Sequence, residues 1–275
     1  MELSLGFSPC PNDTFIFHAL VHGVVRSDGI RFRPRLEDVE TLNRLAADGA
    51  LDVTKASYAA IPWLGERYAL LRSGGALGRG CGPLLVARPD TPLTELRRGR
   101  IAIPGLRTTA NLLLRLWDPA LPEGAERVYG EIMPAVEAGA VDAGLIIHES
   151  RFTYPEHGLV CLVDLGAWWE AETGLPIPLG GILARRTLGT DVIERIDGAL
   201  RRSVEHAFEH PHASESYVRA HAREMDPAVM RSHIDLYVNR FSGEPGPDGE
   251  AAVRMLFERG AAAGVLPTPP ARIFG

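Results

Sequence analysis

Pro83-Leu84-Leu85-Val86-Ala87-Arg88 and Gly180-Gly181-Ile182-Leu183-Ala184-Arg185-Arg186 share one pattern: turn residues, a short apolar run, then arginine. Short apolar runs bounded by turn residues read as buried strands. The two bracket a segment with an alternation of its own: a strand at 100–103, a helix from Thr108, a strand at 127–129, a helix at 132–137 closed by Gly139, and a strand at 143–147. Similar strands around a self-contained α/β segment predict two crossings between two lobes. The expected division is residues 1–87 plus 182–275 for the larger α/β lobe and 88–181 for the smaller, with a ligand cleft and hinge between them.

The first lobe shows the same alternation. Strands are predicted at 3–7, 30–35, 52–55 and 69–73, with helices from Asp13, from Asp38 to a stop at Gly49, and from near Ser57. From Gly189 to Gly264 the period is helical, with Ile193, Ile196, Leu200 and Val204 on one face. These helices are expected to pack on the first lobe. Gly74 to Gly82 holds five glycines in nine residues without a P-loop lysine or dinucleotide spacing, and reads as a flexible or close-approach loop.

Composition limits the class. The 275 residues are 45% hydrophobic and 23% charged with a net charge of −6, a globular profile that disfavours nucleic-acid binding. No run approaches a membrane span, and the N-terminus enters a strand directly, so a cytoplasmic protein is expected. Three scattered cysteines suggest neither a disulfide framework nor a zinc site. The pairs His18/His22 and His206/His210 have helical spacing but no diagnostic third ligand, so no cofactor or metal is expected.

Four turns at strand ends carry polar groups toward the predicted cleft. The first is Ser8-Pro9-Cys10-Pro11-Asn12-Asp13-Thr14, where two prolines stiffen the loop and Asn12 or Asp13 is placed to cap the next helix. It is read as presenting Ser8, Asn12 and the helix N-terminus to an anionic ligand, with Cys10 a wall rather than a nucleophile. The second is Thr54-Lys55-Ala56-Ser57-Tyr58, around the chain's sole lysine. The third is Thr108-Thr109, a receptor for a carboxylate or simply an N-cap. The fourth is His148, after the strand at 143–147, either a general base or a histidine satisfied at a strand end. Trp168-Trp169 is either an aromatic wall or core, and Arg79, Arg107 and Arg151 are candidates to face a carboxylate.

Several stretches together resemble one enzyme family: Ser8-Pro9-Cys10-Pro11-Asn12-Asp13-Thr14-Phe15, Leu36-Glu37-Asp38-Val39-Glu40-Thr41-Leu42-Asn43, Thr54-Lys55 through Ser57-Tyr58, Ser73-Gly74-Gly75-Ala76-Leu77-Gly78-Arg79-Gly80, residues 144–154 from Gly144 through His148 to Tyr154, and Tyr237-Val238-Asn239. The family is 1,4-dihydroxy-6-naphthoate synthase, of the futalosine route to menaquinone. The resemblance implies a two-lobed, periplasmic-binding-protein-like (type II) fold. It also implies a cofactor-free lyase acting on cyclic dehypoxanthine futalosine, a small anionic carboxylate. It carries the base onto His148 and substrate contacts onto Lys55, Ala56, Ser57, Thr108 and Thr109, with Ala56 offering only backbone and a methyl. The alternatives are chorismate dehydratase of the same pathway and a non-catalytic solute-binding protein.

Overall fold

The computed structural model describes residues 1–222, 226–269 and 273–274. Strands β1 (Glu2–Phe7), β2 (Arg31–Leu36), β3 (Val53–Ser57), β4 (Tyr68–Leu70) and β5 (Ala76–Gly78) precede β6 (Leu84–Ala87), β7 (Ile101–Ile103), β8 (Ala125–Glu126), β9 (Ala143–Ile146), β10 (Val160–Asp164) and β11 (Ile177–Arg185). In the first half, helices are α1 (Pro11–Val21), α2 (Val39–Ala47), α3 (Ile61–Leu64), α4 (Thr109–Trp117), α5 (Tyr129–Glu137), α6 (Ser150–Thr153) and α7 (Leu165–Thr173). Toward the C-terminus follow α8 (Thr190–Glu209), α9 (Glu215–His221), α10 (Pro227–Tyr237), α11 (Arg240–Gly243) and α12 (Gly246–Ala262).

Strand pairing divides these into two sheets. The first has the order β2-β1-β3-β11-β4, with β5 also on β11; the second has the order β10-β6-β9-β7-β8. Parallel pairs β1/β2, β1/β3, β7/β8 and β7/β9 are joined through helices, as parallel pairing requires. β6 pairs only in the second sheet and β11 only in the first. We therefore place the two passages between lobes at 79–83 and 174–176, instead of after 87 and before 182. Sequence pattern marks the strands but not the sheet each joins.

Several local expectations shift for identifiable reasons. α1 starts at Pro11, with Cys10 as a cap that accepts no side-chain bond. Pro at the first helical position suits this start, and the Asp13 carboxylate is engaged elsewhere. The strand expected at 127–129 is replaced by β8 and the start of α5. Tyr129, Ile132, Met133 and Val136 are buried at helical spacing. The Gly74–Gly82 segment is no free loop, since β5 lies within it, antiparallel to β11. Its glycines serve close packing: a Cβ on Gly74 would lie 2.7 Å from both Ile182 and Leu200.

The C-terminal helices cover the first sheet through α1 and α8. Ile193, Ile196, Leu200 and Val204 are buried along α8, and the buried Ser203 hydroxyl bonds the α1 backbone at Ile16 and Leu20. The passages between lobes pack against α7 with no space to spare. A Cβ on Gly166 would fall 1.8 Å from the Cys81 carbonyl oxygen, and one on Gly82 would fall 2.8 Å from Gly166 Cα. Gly166→Ala is therefore expected to lower stability by about 1–3 kcal/mol, the usual range for overpacking. Urea unfolding measures it; an unchanged midpoint would show that the passage yields freely.

Candidate active site

The passages bring the carboxyl ends of strands from both sheets around one cleft. Asn12, Lys55, Ser57, Thr108, Thr109 and His148 line it, together with Ala110, Leu179, Gly180 and Tyr237. Two residues expected there are not. Ala56 is fully buried on the opposite face of β3, because side chains alternate and Lys55 and Ser57 take the cleft face. Ser8 is buried too, and its amide and hydroxyl both donate to Asp13 Oδ2 at 3.0 and 2.7 Å. The opening loop thus serves Asp13, which accepts from Asn12 at its other oxygen and pairs there with Lys55. Asp13 is fully buried, as is 93% of the Lys55 side chain. Gly180 lets Lys55 pass, since a Cβ there would meet Lys55 Cε at 3.2 Å.

Across the cleft stands the N-terminus of α4. Thr108 caps it, accepting from the Asn111 amide and donating to the Gly105 carbonyl. The Thr109 hydroxyl accepts from the Ala59 amide and donates to the Leu179 carbonyl at 2.7 Å. Both hydroxyls are thus engaged, Thr108 within its own helix start and Thr109 in holding the helix against the first lobe. The amides of Thr109 and Ala110 open the helix and have no acceptor within it, which suits an anion. Ser57 keeps its hydroxyl hydrogen available, because its oxygen accepts from Asn43 Nδ2 at 3.1 Å.

None of the three arginines lines the cleft. Arg151 ties the first passage to Asp164 through the Gly80 and Gly82 carbonyls, and Arg79 binds the Gly174 carbonyl. Arg107 is exposed on the surface. Lys55 is the one cationic side chain among the described lining residues. Trp169 is core, its indole donating to the Pro176 carbonyl; the aromatic in the cleft wall is Tyr237. The rings of His18/His22 and of His206/His210 are tilted against each other with centroids 4.6 Å apart, and none of the four lines the cleft.

His148 follows β9 with φ 59°, a left-handed conformation that turns its ring into the cleft. A non-glycine residue held there at a site is a marker of function. The ring meets Tyr129 edge-on at 5.1 Å and lies 6.2 Å from the ring of His233. Burial, and then the charge of Lys55, lower its pKa below the usual imidazole value; Glu149, Asp13 and Asp38 oppose the shift. The ring is accordingly neutral at pH 7 and able to accept a proton. Cys10, His148 and Glu149 bring possible metal-ligand atoms within 4.8 Å of one another, the one such group among the described residues. Burial, followed by the Glu149 charge, pushes the Cys10 thiol upward, which disfavours it as a nucleophile.

The sequence did not point to Asp13, Tyr129 or His233 as members of this site. Tyr237 entered only through the family resemblance. His233 arrives from α10, one turn before Tyr237, whose ring lies 4.6 Å from its own. Asp13 alone carries a local signal, a carboxylate in the first turn of α1, which suits a helix cap as well as it suits a site.

A two-sheet α/β frame with a ligand cleft at the lobe junction and a neutral histidine in it defines a binding-protein-like fold equipped for proton transfer. The chain belongs to the family described as Menaquinone biosynthesis, whose model matches residues 3–262. A Thermus thermophilus protein named 1,4-dihydroxy-6-naphtoate synthase is 55% identical over 272 residues, covering 99% of this chain and 98% of its own. A Streptomyces coelicolor protein of the same name is 49% identical over 274 residues, covering 96% and 95%. A solved Archaeoglobus fulgidus protein superposes with a TM-score of 0.90 at 35% identity, covering 96% of this chain and 98% of that one. At 15% identity, a Candida albicans protein described as having the generic periplasmic binding protein fold superposes with a TM-score of 0.71 over 99% and 93%. That last likeness concerns the fold alone. Among the described residues no helix is long and apolar enough to cross a membrane.

Proposed function

We propose that this protein is a lyase converting cyclic dehypoxanthine futalosine to 1,4-dihydroxy-6-naphthoate. The observation that carries the reading is the neutral His148 ring in the same cleft as Lys55 and the open N-terminus of α4. Lys55 and the amides of Thr109 and Ala110 hold the substrate carboxylate, and Ser57 donates to it or to a neighbouring oxygen. His148 removes a proton, the adjacent carbon–carbon bond breaks, and the product gains an aromatic ring. Closure of the lobes excludes water from the reacting atoms. The full-length relatives carry the synthase name, so neither chorismate dehydratase nor a solute-binding role is favoured.

Incubation with cyclic dehypoxanthine futalosine, followed by mass spectrometry, should show naphthoate product, with chorismate unchanged in a parallel reaction. Turnover of chorismate alone, or of neither, rejects the reading. The pH dependence is also set. A base works only when unprotonated, and the His148 pKa is lowered, so kcat/KM should fall only as pH drops through a value below 6.5. Activity should be level from there through neutrality. An acid limb centred above 6.5 would contradict the buried, lysine-facing setting of the ring.

A further inference from the structure

His233 is fully buried behind the cleft on α10, with Nε2 2.9 Å from Asn12 Oδ1. The Asn12 amide nitrogen is committed to Asp13 Oδ1 at 2.9 Å, and Asp13 is held by Lys55 and Ser8. Asn12 therefore presents its oxygen, and His233 donates through Nε2–H. Burial, and then the charges of His148 and Lys55, hold the His233 pKa well below the usual imidazole value. The ring is neutral, and its Nδ1 is a bare lone pair.

That lone pair faces a second bare acceptor. Glu149 Oε2 lies 3.9 Å from His233 Nδ1, and neither atom has a hydrogen-bond partner. The other Glu149 oxygen accepts from the Tyr129 hydroxyl at 3.1 Å, which fixes the carboxylate's orientation. Buried polar atoms are normally paired, and two acceptors opposed without a hydrogen are unfavourable. At 3.9 Å they share no hydrogen as they stand; a proton on either atom, with the gap closed to hydrogen-bond distance, satisfies both. A source lies near, because ligand atoms of His148 and Glu149 come within 4.8 Å of each other, a span that one bridging water covers.

Resting on the reading of His148 as the base, we propose that Glu149 and His233 form a proton-holding pair behind it. In the forward step the substrate–hydrogen bond breaks and an N–H forms on His148. That N–H then breaks as an O–H forms on Glu149 Oε2, which closes on His233 Nδ1 and donates its hydrogen there. After carbon–carbon cleavage the transfers reverse and the proton goes to the leaving fragment. No proton is gained or lost overall, and no oxidant or reductant takes part. Both residues act through His148, and the pair bridges the lobes, Glu149 from the smaller and His233 from the helices of the larger.

Two variants test this. In Glu149→Gln the oxygen facing Tyr129 is kept, and the amide nitrogen donates to His233 Nδ1, filling the gap permanently. In His233→Gln the amide nitrogen keeps the bond to Asn12 and the Nδ1 acceptor is removed. Each is expected to lower kcat by about tenfold or more with KM changed less than about twofold. In each, the solvent deuterium isotope effect on kcat should rise, as proton handling becomes slower, and the double variant should lose little beyond either single one. Misplacement of His148 would lower kcat without raising the isotope effect. Wild-type kcat in either folded variant, or an unchanged isotope effect, overturns the proposal. Failure of the wild-type protein itself to form naphthoate would instead reject the function on which it rests.

Discussion

His148→Asn is expected to lower kcat by about 10²–10⁴-fold, the usual contribution of a general base, with the melting temperature nearly unchanged. The choice of asparagine follows from the backbone. At φ 59° most side chains are strained, and asparagine tolerates this region better than glutamine does. The residue borders the open cleft, so truncation enlarges the cleft and leaves no sealed cavity. Loss of turnover with retained substrate binding, measured by calorimetry with the substrate, would separate chemistry from affinity. Near-wild-type turnover would remove His148 from the mechanism and leave the cleft without a neutral base. Binding should persist because Lys55 and the α4 amides are untouched.

The position of His148 was legible because it depends on short-range pattern. A buried apolar run at 143–147 ends in a polar residue, and the carboxyl end of a sheet strand is where α/β folds place ligands. The Asp38 cap and the stops at Gly49 and Gly139 were legible for the same reason, since capping is decided within a few residues. Ala56 could have been excluded by the same logic. A strand that directs Lys55 and Ser57 to the cleft must direct the residue between them away. The sheet assignment of β6 and β11 was not legible, because it depends on long-range pairing that the strand residues do not encode. Asn12 and His233 meet across 221 positions of sequence. No local signal announces that contact, and Ser8 holds Asp13 because Lys55 reaches the same carboxylate from a strand 42 positions away.

The buried pair of Lys55 and Asp13 yields the last prediction, in which one ion pair gives two different kinetic outcomes. Removing either partner leaves a charge buried without its counter-ion, so Lys55→Met and Asp13→Asn are each expected to lower stability by about 3–5 kcal/mol. The substrate distinguishes them. Lys55→Met removes the one cationic side chain among the described cleft residues, and KM should rise roughly 10–100-fold, as for a lost charge-assisted hydrogen bond. Asp13→Asn keeps that cation and frees it from its competitor, so KM should hold or fall even though the protein unfolds at lower denaturant. Its kcat should drop, because the amide offers one acceptor oxygen where the carboxylate offered two, and the cluster of Ser8, Asn12 and Lys55 donors that orients Asn12 toward His233 is disrupted. Urea melts and steady-state kinetics on the two variants measure both quantities. An equal rise of KM in both would mean that Lys55 serves only to neutralise Asp13, and the substrate carboxylate would then rest on the α4 amides alone.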